Sequence, residues 1–215
     1  MSDKEWVEHT PEAGSFLETT FNSLKKMYEF SDDTSGGNGG GGSFGKRFLN
    51  MFNNDVNNVD IRNSLDLDSS DEYFGTTQSN SKRYKDGSLK SEIYLNLKDN
   101  FKSALEFKSF DRSLDIMFVI GHELGHSLSF MHSVSIRQNT WFELPQGPVT
   151  VDEIFGTFIE NQLRDEHKQP LRMNYLNWGD PSINKGWIIP FNNQVPGVDI
   201  NSIINEYKKS IPLKW

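Results

Sequence analysis

The sequence predicts a mixed α+β domain built around one central helix, and three stretches carry that prediction. An apolar run, Ile116 to Ile120, feeds directly into Gly121-His122-Glu123-Leu124-Gly125-His126. Upstream, Ser91 to Leu97 alternates at the period of a strand, with Ile93, Leu95 and Leu97 to one side and Tyr94 and Asn96 to the other. Downstream, Thr150-Val151-Asp152-Glu153 opens a second helical pattern through Ile154, Phe155, Phe158, Ile159 and Leu163 to about Lys168, which Pro170 closes.

Composition narrows the class. With 215 residues the chain is long enough for one domain, or a small two-lobed one, whose core needs no staples. The net charge is −8 with no dominant basic patch, which argues against nucleic acid as a partner. Sixteen Phe mark a folding sequence. Cysteine is absent, so a disulfide framework and thiolate-held zinc are excluded. Met1 to Trp6 shows no basic segment leading into an apolar run, so no signal peptide is expected. No apolar run reaches membrane-spanning length, so no membrane insertion is expected either.

Taken in order, the first element is a helix over residues 10–30, entered at Thr10-Pro11-Glu12. It places Phe16, Leu17, Phe21, Leu24, Met27 and Tyr28 on one face and Lys25, Lys26 and Glu29 opposite. The glycine-dominated stretch 35–45 reads as a flexible loop, and it lacks the Gly-Lys-Ser/Thr ending of a phosphate-binding loop. Between Phe48 and Lys90 the signals are those of short strands and turns. Asp66, Asp68 and Asp71 there read as a solvated acidic loop, since the Gly and terminal Glu of a calcium loop are missing. The central helix is expected from about Ser113 to about His132, capped from within Asp111 to Asp115. Pro145 and Pro148 break the chain after it, and a last helix is expected over Val198–Ser210. The organisation is then an N-terminal helical segment (1–34), a glycine-rich loop (35–45) and a main domain (46–215).

The chemistry lies in His122-Glu123-x-x-His126. Helix positions four apart share a face, so both imidazoles can address one metal ion, with Glu123 one step round. Two imidazoles suit zinc, and a catalytic zinc takes three protein ligands and keeps an open position for water. The ion lowers the pKa of water, and Glu123 can then take its proton as general base. Histidines bonded to core carbonyls are the bland alternative. Against it, this window holds two of the chain's five His, each preceded by a Gly that lets other backbone come close.

Three residues compete for the third ligand position. His132 lies at metzincin spacing, but Ser129 stands where that motif has Gly. If the helix continues, His132 points about 120° away from His126, at ~3.6 residues per turn. Glu153 and Glu160 share a face of the second helix, so one can bind metal while the other bonds a ligating His or an Arg. Glu153 is preferred, with Asp152 as a supporting neighbour, and Glu160 and His132 stand as alternatives. In zinc peptidases built around such a helix the strand before it often rims the cleft and can pair with an extended substrate, and an ordinary sheet strand fits the pattern of Ser91 to Leu97 equally well.

Residues 121–126, Asp152-Glu153, Glu160 to His167 and Pro170 to Tyr175 together resemble the NleD-like zinc peptidases of family M91, over roughly residues 90 to 176. The resemblance implies a zincin-like fold: a small mixed sheet, the His-Glu-x-x-His helix and a smaller C-terminal helical and loop part. It also implies one zinc ion per chain and endopeptidase activity on a protein. The enzyme would be a bacterial effector, exported by a non-classical route and acting as a monomer in the cytosol of a host or target cell. Arg172-x-x-Tyr175 is similar to the Arg-x-x-Tyr pair of clostridial neurotoxin light chains, which steadies the oxyanion. Arg172 and Tyr175 therefore join Glu123 as expected catalytic residues. A zinc-stabilised binding protein without turnover is the rival from another class, and an intact Glu123 argues against it.

Overall fold

The computed structural model describes residues 11–29, 43–53, 57–63, 75–83, 89–95, 112–144, 147–172, 199–213 and 215. The helix entry at Thr10, the glycine run before Ser43, Asp66, Asp68, Asp71, Asp111, Asn96 and Leu97, Tyr175 and most of the tail lie outside them.

The described chain is mixed helix and strand, as expected: five α-helices and two small sheets. Helix α1 (Phe16–Glu29) is capped by Ser15, whose hydroxyl accepts from the Glu18 N–H at 3.1 Å. Helix α2 (Phe44–Asn50) starts at Ser43, whose hydroxyl accepts from the Lys46 N–H. Strands β1 (Asn57–Asn63), β2 (Gly75–Arg83) and β3 (Leu89–Leu95) form one sheet in the order β1-β3-β2, parallel between β1 and β3 and antiparallel between β2 and β3. Helix α3 (Arg112–Met131) follows, then a 3-10 turn (Ser135–Gln138) and a hairpin of β4 (Thr140–Leu144) and β5 (Gly147–Thr150). Helices α4 (Asp152–Glu166) and α5 (Ile200–Ser210) complete the chain.

The core lies around α3. From Ile116 to Ser129 every residue but Val119 is buried, which is why this stretch shows no clean polar face. Ile93 and Leu95 of β3, Ile154, Phe155, Ile159 and Leu163 of α4, and Ile204 and Tyr207 of α5 belong to the same core. The helix ends at Met131; the His132 N–H still bonds the Leu128 carbonyl at 3.0 Å, and Ser133 turns the chain away in a left-handed conformation (φ 50°).

Four expectations need correction. Ser43, Phe44 and Gly45, read as the end of the flexible loop, are the cap and first residues of α2, with Phe44 and Gly45 buried. Strand β3 cannot take an extended peptide by backbone pairing, because β1 and β2 flank it on both sides. The face that α1 buries carries Thr20, Ser23 and Met27, while Leu17, Phe21 and Tyr28 are exposed. The small side chains let α1 lie close to its neighbours, and the Ser23 hydroxyl is satisfied by the Thr19 carbonyl at 2.8 Å. Finally, Pro148 does not break the chain: it lies within β5, in a two-stranded hairpin where both strands are edges and a missing N–H is tolerated.

Candidate metal centre

Two helices build the site. Glycines let them meet: a Cβ on Gly121 would strike the Leu163 side chain at 2.2 Å, and one on Gly125 would lie 3.2 Å from the Gly156 Cα. A Cβ on Gly156 would come within 2.9 Å of Nε2 of His122. The expectation that glycines beside the two histidines admit other backbone is met at Gly125, by Gly156 of α4, and not at Gly121, which admits the Leu163 and Met27 side chains. That approach brings Glu153, in the first turn of α4, over the His face of α3.

Three donor atoms converge there. Nε2 of His122 lies 3.1 Å from Nε2 of His126, Oε2 of Glu153 lies 3.1 Å from the first, and the same oxygen lies 3.3 Å from the second. In a tetrahedron with metal–ligand bonds of ~2.0–2.1 Å, neighbouring ligand atoms are about 3.3–3.4 Å apart. The triangle is therefore one face of a zinc-sized coordination shell with little adjustment, and His122, His126 and Glu153 form a group that could hold a metal ion. The imidazoles are 9 % exposed and Glu153 is 23 % exposed, so the group opens to solvent on the Glu153 side.

Behind each imidazole stands a buried carboxylate. Nδ1 of His126 donates to Oδ2 of Asp152 at 3.0 Å, and Nδ1 of His122 lies 3.4 Å from Oε2 of Glu160. A carboxylate only accepts, so the Asp152 contact places a proton on Nδ1 of His126 and turns its Nε2 towards the centre of the triangle, while Glu160 pairs with His122 by charge. Glu160 is held in turn by Arg164 at 2.8 Å and Arg172 at 2.9 Å. Asp152 accepts from the Tyr207 hydroxyl at 2.9 Å, with Nη2 of Arg137 at 3.6 Å.

The electrostatics follow from this crowding. Burial opposes charge on both histidines, but Glu153 and Asp152 outweigh it and raise His126 well above the usual imidazole value. Glu153 and Glu160 raise His122 as well. Burial likewise opposes ionisation of Glu153, Glu160 and Asp152. All three are nonetheless held below the usual carboxylate range, Glu153 chiefly by His126, Glu160 chiefly by Arg172 and Asp152 chiefly by His126. Burial and then the Asp152 charge push the Tyr207 phenol up, so it stays a donor. Without a metal, the pocket is one that attracts positive charge.

The expected site residues are only partly brought together. His122, His126 and Glu153 converge, and Glu123 is buried next to them on α3. His132 is not among the converging donors, and Glu160 lies behind His122 instead of beside Glu153. Arg172 is committed to Glu160 and, through its backbone N–H, to the Asn161 side chain at 2.7 Å. Tyr175 lies outside the described residues, so the expected Arg172–Tyr175 pair is not seen assembled. Tyr207 and Arg137 had no sequence signal: each reaches Asp152 from a separate part of the chain, where no local spacing records the contact.

Compared with protein-family models, curated proteins and solved structures, the chain matches none.

Proposed function

We propose that the protein is a zinc-dependent endopeptidase with a zincin-like fold. The observation that carries this reading is the triangle of two Nε2 atoms and one carboxylate oxygen at 3.1–3.3 Å, with Glu123 next to His122 on the same helix. A purely structural zinc site is closed and has no use for a carboxylate beside its ligands, whereas a hydrolytic one needs both an open side and a base.

His122, His126 and Glu153 would hold the ion, with Asp152 and Glu160 fixing the two imidazoles from behind. Zinc supplies Lewis acidity, polarising a peptide carbonyl and making water a better nucleophile. Glu123 takes a proton from the attacking water as its oxygen bonds to the scissile carbon. Glu123 then gives that proton to the amine nitrogen as the C–N bond breaks. Among the described strands β2 is the antiparallel edge, paired on one side with β3, and it offers backbone to an extended chain. The resemblance of residues 90 to 176 to the NleD-like peptidases extends the proposal to a protein substrate inside a host or target cell, reached by a non-classical export route. No helix among the described residues is long and apolar enough to cross a membrane.

Incubating the zinc-loaded protein with a broad peptide library tests the reading. Cleavage is expected from the parent, with a loss of at least about a hundredfold in Glu123→Gln at unchanged zinc content. Equal cleavage by both would remove Glu123 from the mechanism. Zinc uptake with no cleavage of any peptide would leave a zinc-holding binding module.

A further inference from the structure

We propose that Tyr207, on the last helix of the chain, is a positioning residue that holds Asp152 against His126 and so aims His126 at the metal. The inference rests on the metal-site reading above and adds to it a residue from outside α3 and α4. Tyr207 is fully buried, and its ring stacks on Phe155 of α4 with centroids 4.3 Å apart and planes 12° off parallel. The packing of α5 on α4 therefore sets where the hydroxyl sits. That hydroxyl donates to Oδ1 of Asp152 at 2.9 Å, while Oδ2 accepts from Nδ1 of His126 at 3.0 Å. Each carboxylate oxygen has its own anchor, and the plane of the carboxylate is fixed between them.

The two histidines are supported unequally. Glu160, behind His122, is clamped by Arg164 and Arg172 at 2.8 and 2.9 Å. Asp152 has no such clamp: one guanidinium nitrogen, at 3.6 Å, addresses the same oxygen that His126 uses, and the Ser129 hydroxyl adds a neutral contact. Removing the Tyr207 hydroxyl leaves Oδ1 without this donor in a buried site and frees the carboxylate to turn towards Arg137. His126 then loses the contact that keeps its proton on Nδ1 and its Nε2 lone pair on the metal.

Competition of Zn2+ alone against a chromophoric chelator tests this. Tyr207→Phe keeps the stacked ring and is expected to bind zinc about tenfold more weakly than the parent, as loss of such supporting contacts does. In an Asp152→Ala background the same substitution is expected to add no further loss, because its route to the metal is gone. Zinc binding by Tyr207→Phe within twofold of the parent overturns the proposal, as does an equal loss in both backgrounds. A parent that takes up no zinc removes the metal-site reading and this proposal together, so the two failures are distinguishable. A second measurement needs no variant to fold: nitrogen NMR of the zinc-loaded parent is expected to show His126 ligating through Nε2 with its proton on Nδ1. Ligation through Nδ1 overturns the proposal.

Discussion

His122 and His126 face each other through their Nε2 atoms at 3.1 Å, while the Nδ1 atom of each is turned to a buried carboxylate. With the Glu153 oxygen beside them, the two nitrogens draw positive charge, which protons on the imidazoles supply until a metal ion displaces them. Zinc is therefore expected to stabilise the fold strongly. Free zinc at a hundred times its Kd gives about 2.7 kcal/mol by linkage. For a chain of this length each kcal/mol moves the melting midpoint by about 2–4 °C. A rise of about 5–11 °C, reversed by chelator, is the expected outcome of a thermal melt.

Gly156→Ala should separate metal affinity from stability. The added methyl would sit 2.9 Å from Nε2 of His122, with the imidazole carbons at 3.0 and 3.1 Å. The imidazole must turn away, and the donor triangle opens. Overpacking costs about 1–3 kcal/mol and the gain in helix propensity returns about 1, so the metal-free form is expected to lose at most about 2 kcal/mol. Zinc affinity, measured by chelator competition, is expected to fall at least about tenfold.

Glu160 is a structural keystone as well as a partner of His122. Glu160→Ala leaves Arg164 and Arg172 without their buried counter-charge and is expected to cost about 3–5 kcal/mol in urea unfolding. Arg164 is 3 % exposed and lies over the Phe118 ring at 4.5 Å, so it cannot reach water without disturbing the core.

A pH effect is expected from the outer charges of the sheet. Asp60 and Glu92 interleave with Arg62 and Lys90, at 3.0 Å in each pair. Lys90, through its hydrogen bonds, is the main cause holding both carboxylates below their usual values. A carboxylate with a depressed folded pKa contributes stability above its unfolded pKa, and that contribution fades as pH falls through the folded value. Stability should therefore drop below about pH 4, more in the parent than in Asp60→Asn. High salt should shrink the difference, because these groups are in part exposed to solvent. Unfolding curves between pH 5 and 2 at two salt concentrations, on the order of 0.05 and 1 M, check it.

Much of the site was legible because its helices announce themselves. The apolar run before His122 leads into α3, and Asp152-Glu153 stand at the start of α4, so the partners of the histidines could be sought there. Periodicity failed where size mattered more than hydrophobicity: α1 buries Thr20 and Ser23 and exposes Leu17 and Phe21. Helix α2 hid behind the glycine run. Its first two N–H groups are bonded to the Glu166 carboxylate at 2.6 and 3.0 Å, a contact from the far end of α4 that no neighbouring residue signals. Tyr207 was illegible for the same reason, since its hydroxyl finds Asp152 only after the chain has folded.

The metal centre is tested most directly by the zinc bound per chain after dialysis against a fixed low free-zinc level. The parent and Glu123→Gln are expected to retain close to one ion each, and Glu153→Ala close to none. A parent that holds none at saturating zinc would contradict the metal centre itself. Full retention by Glu153→Ala would show that the carboxylate facing the two histidines is not their third partner.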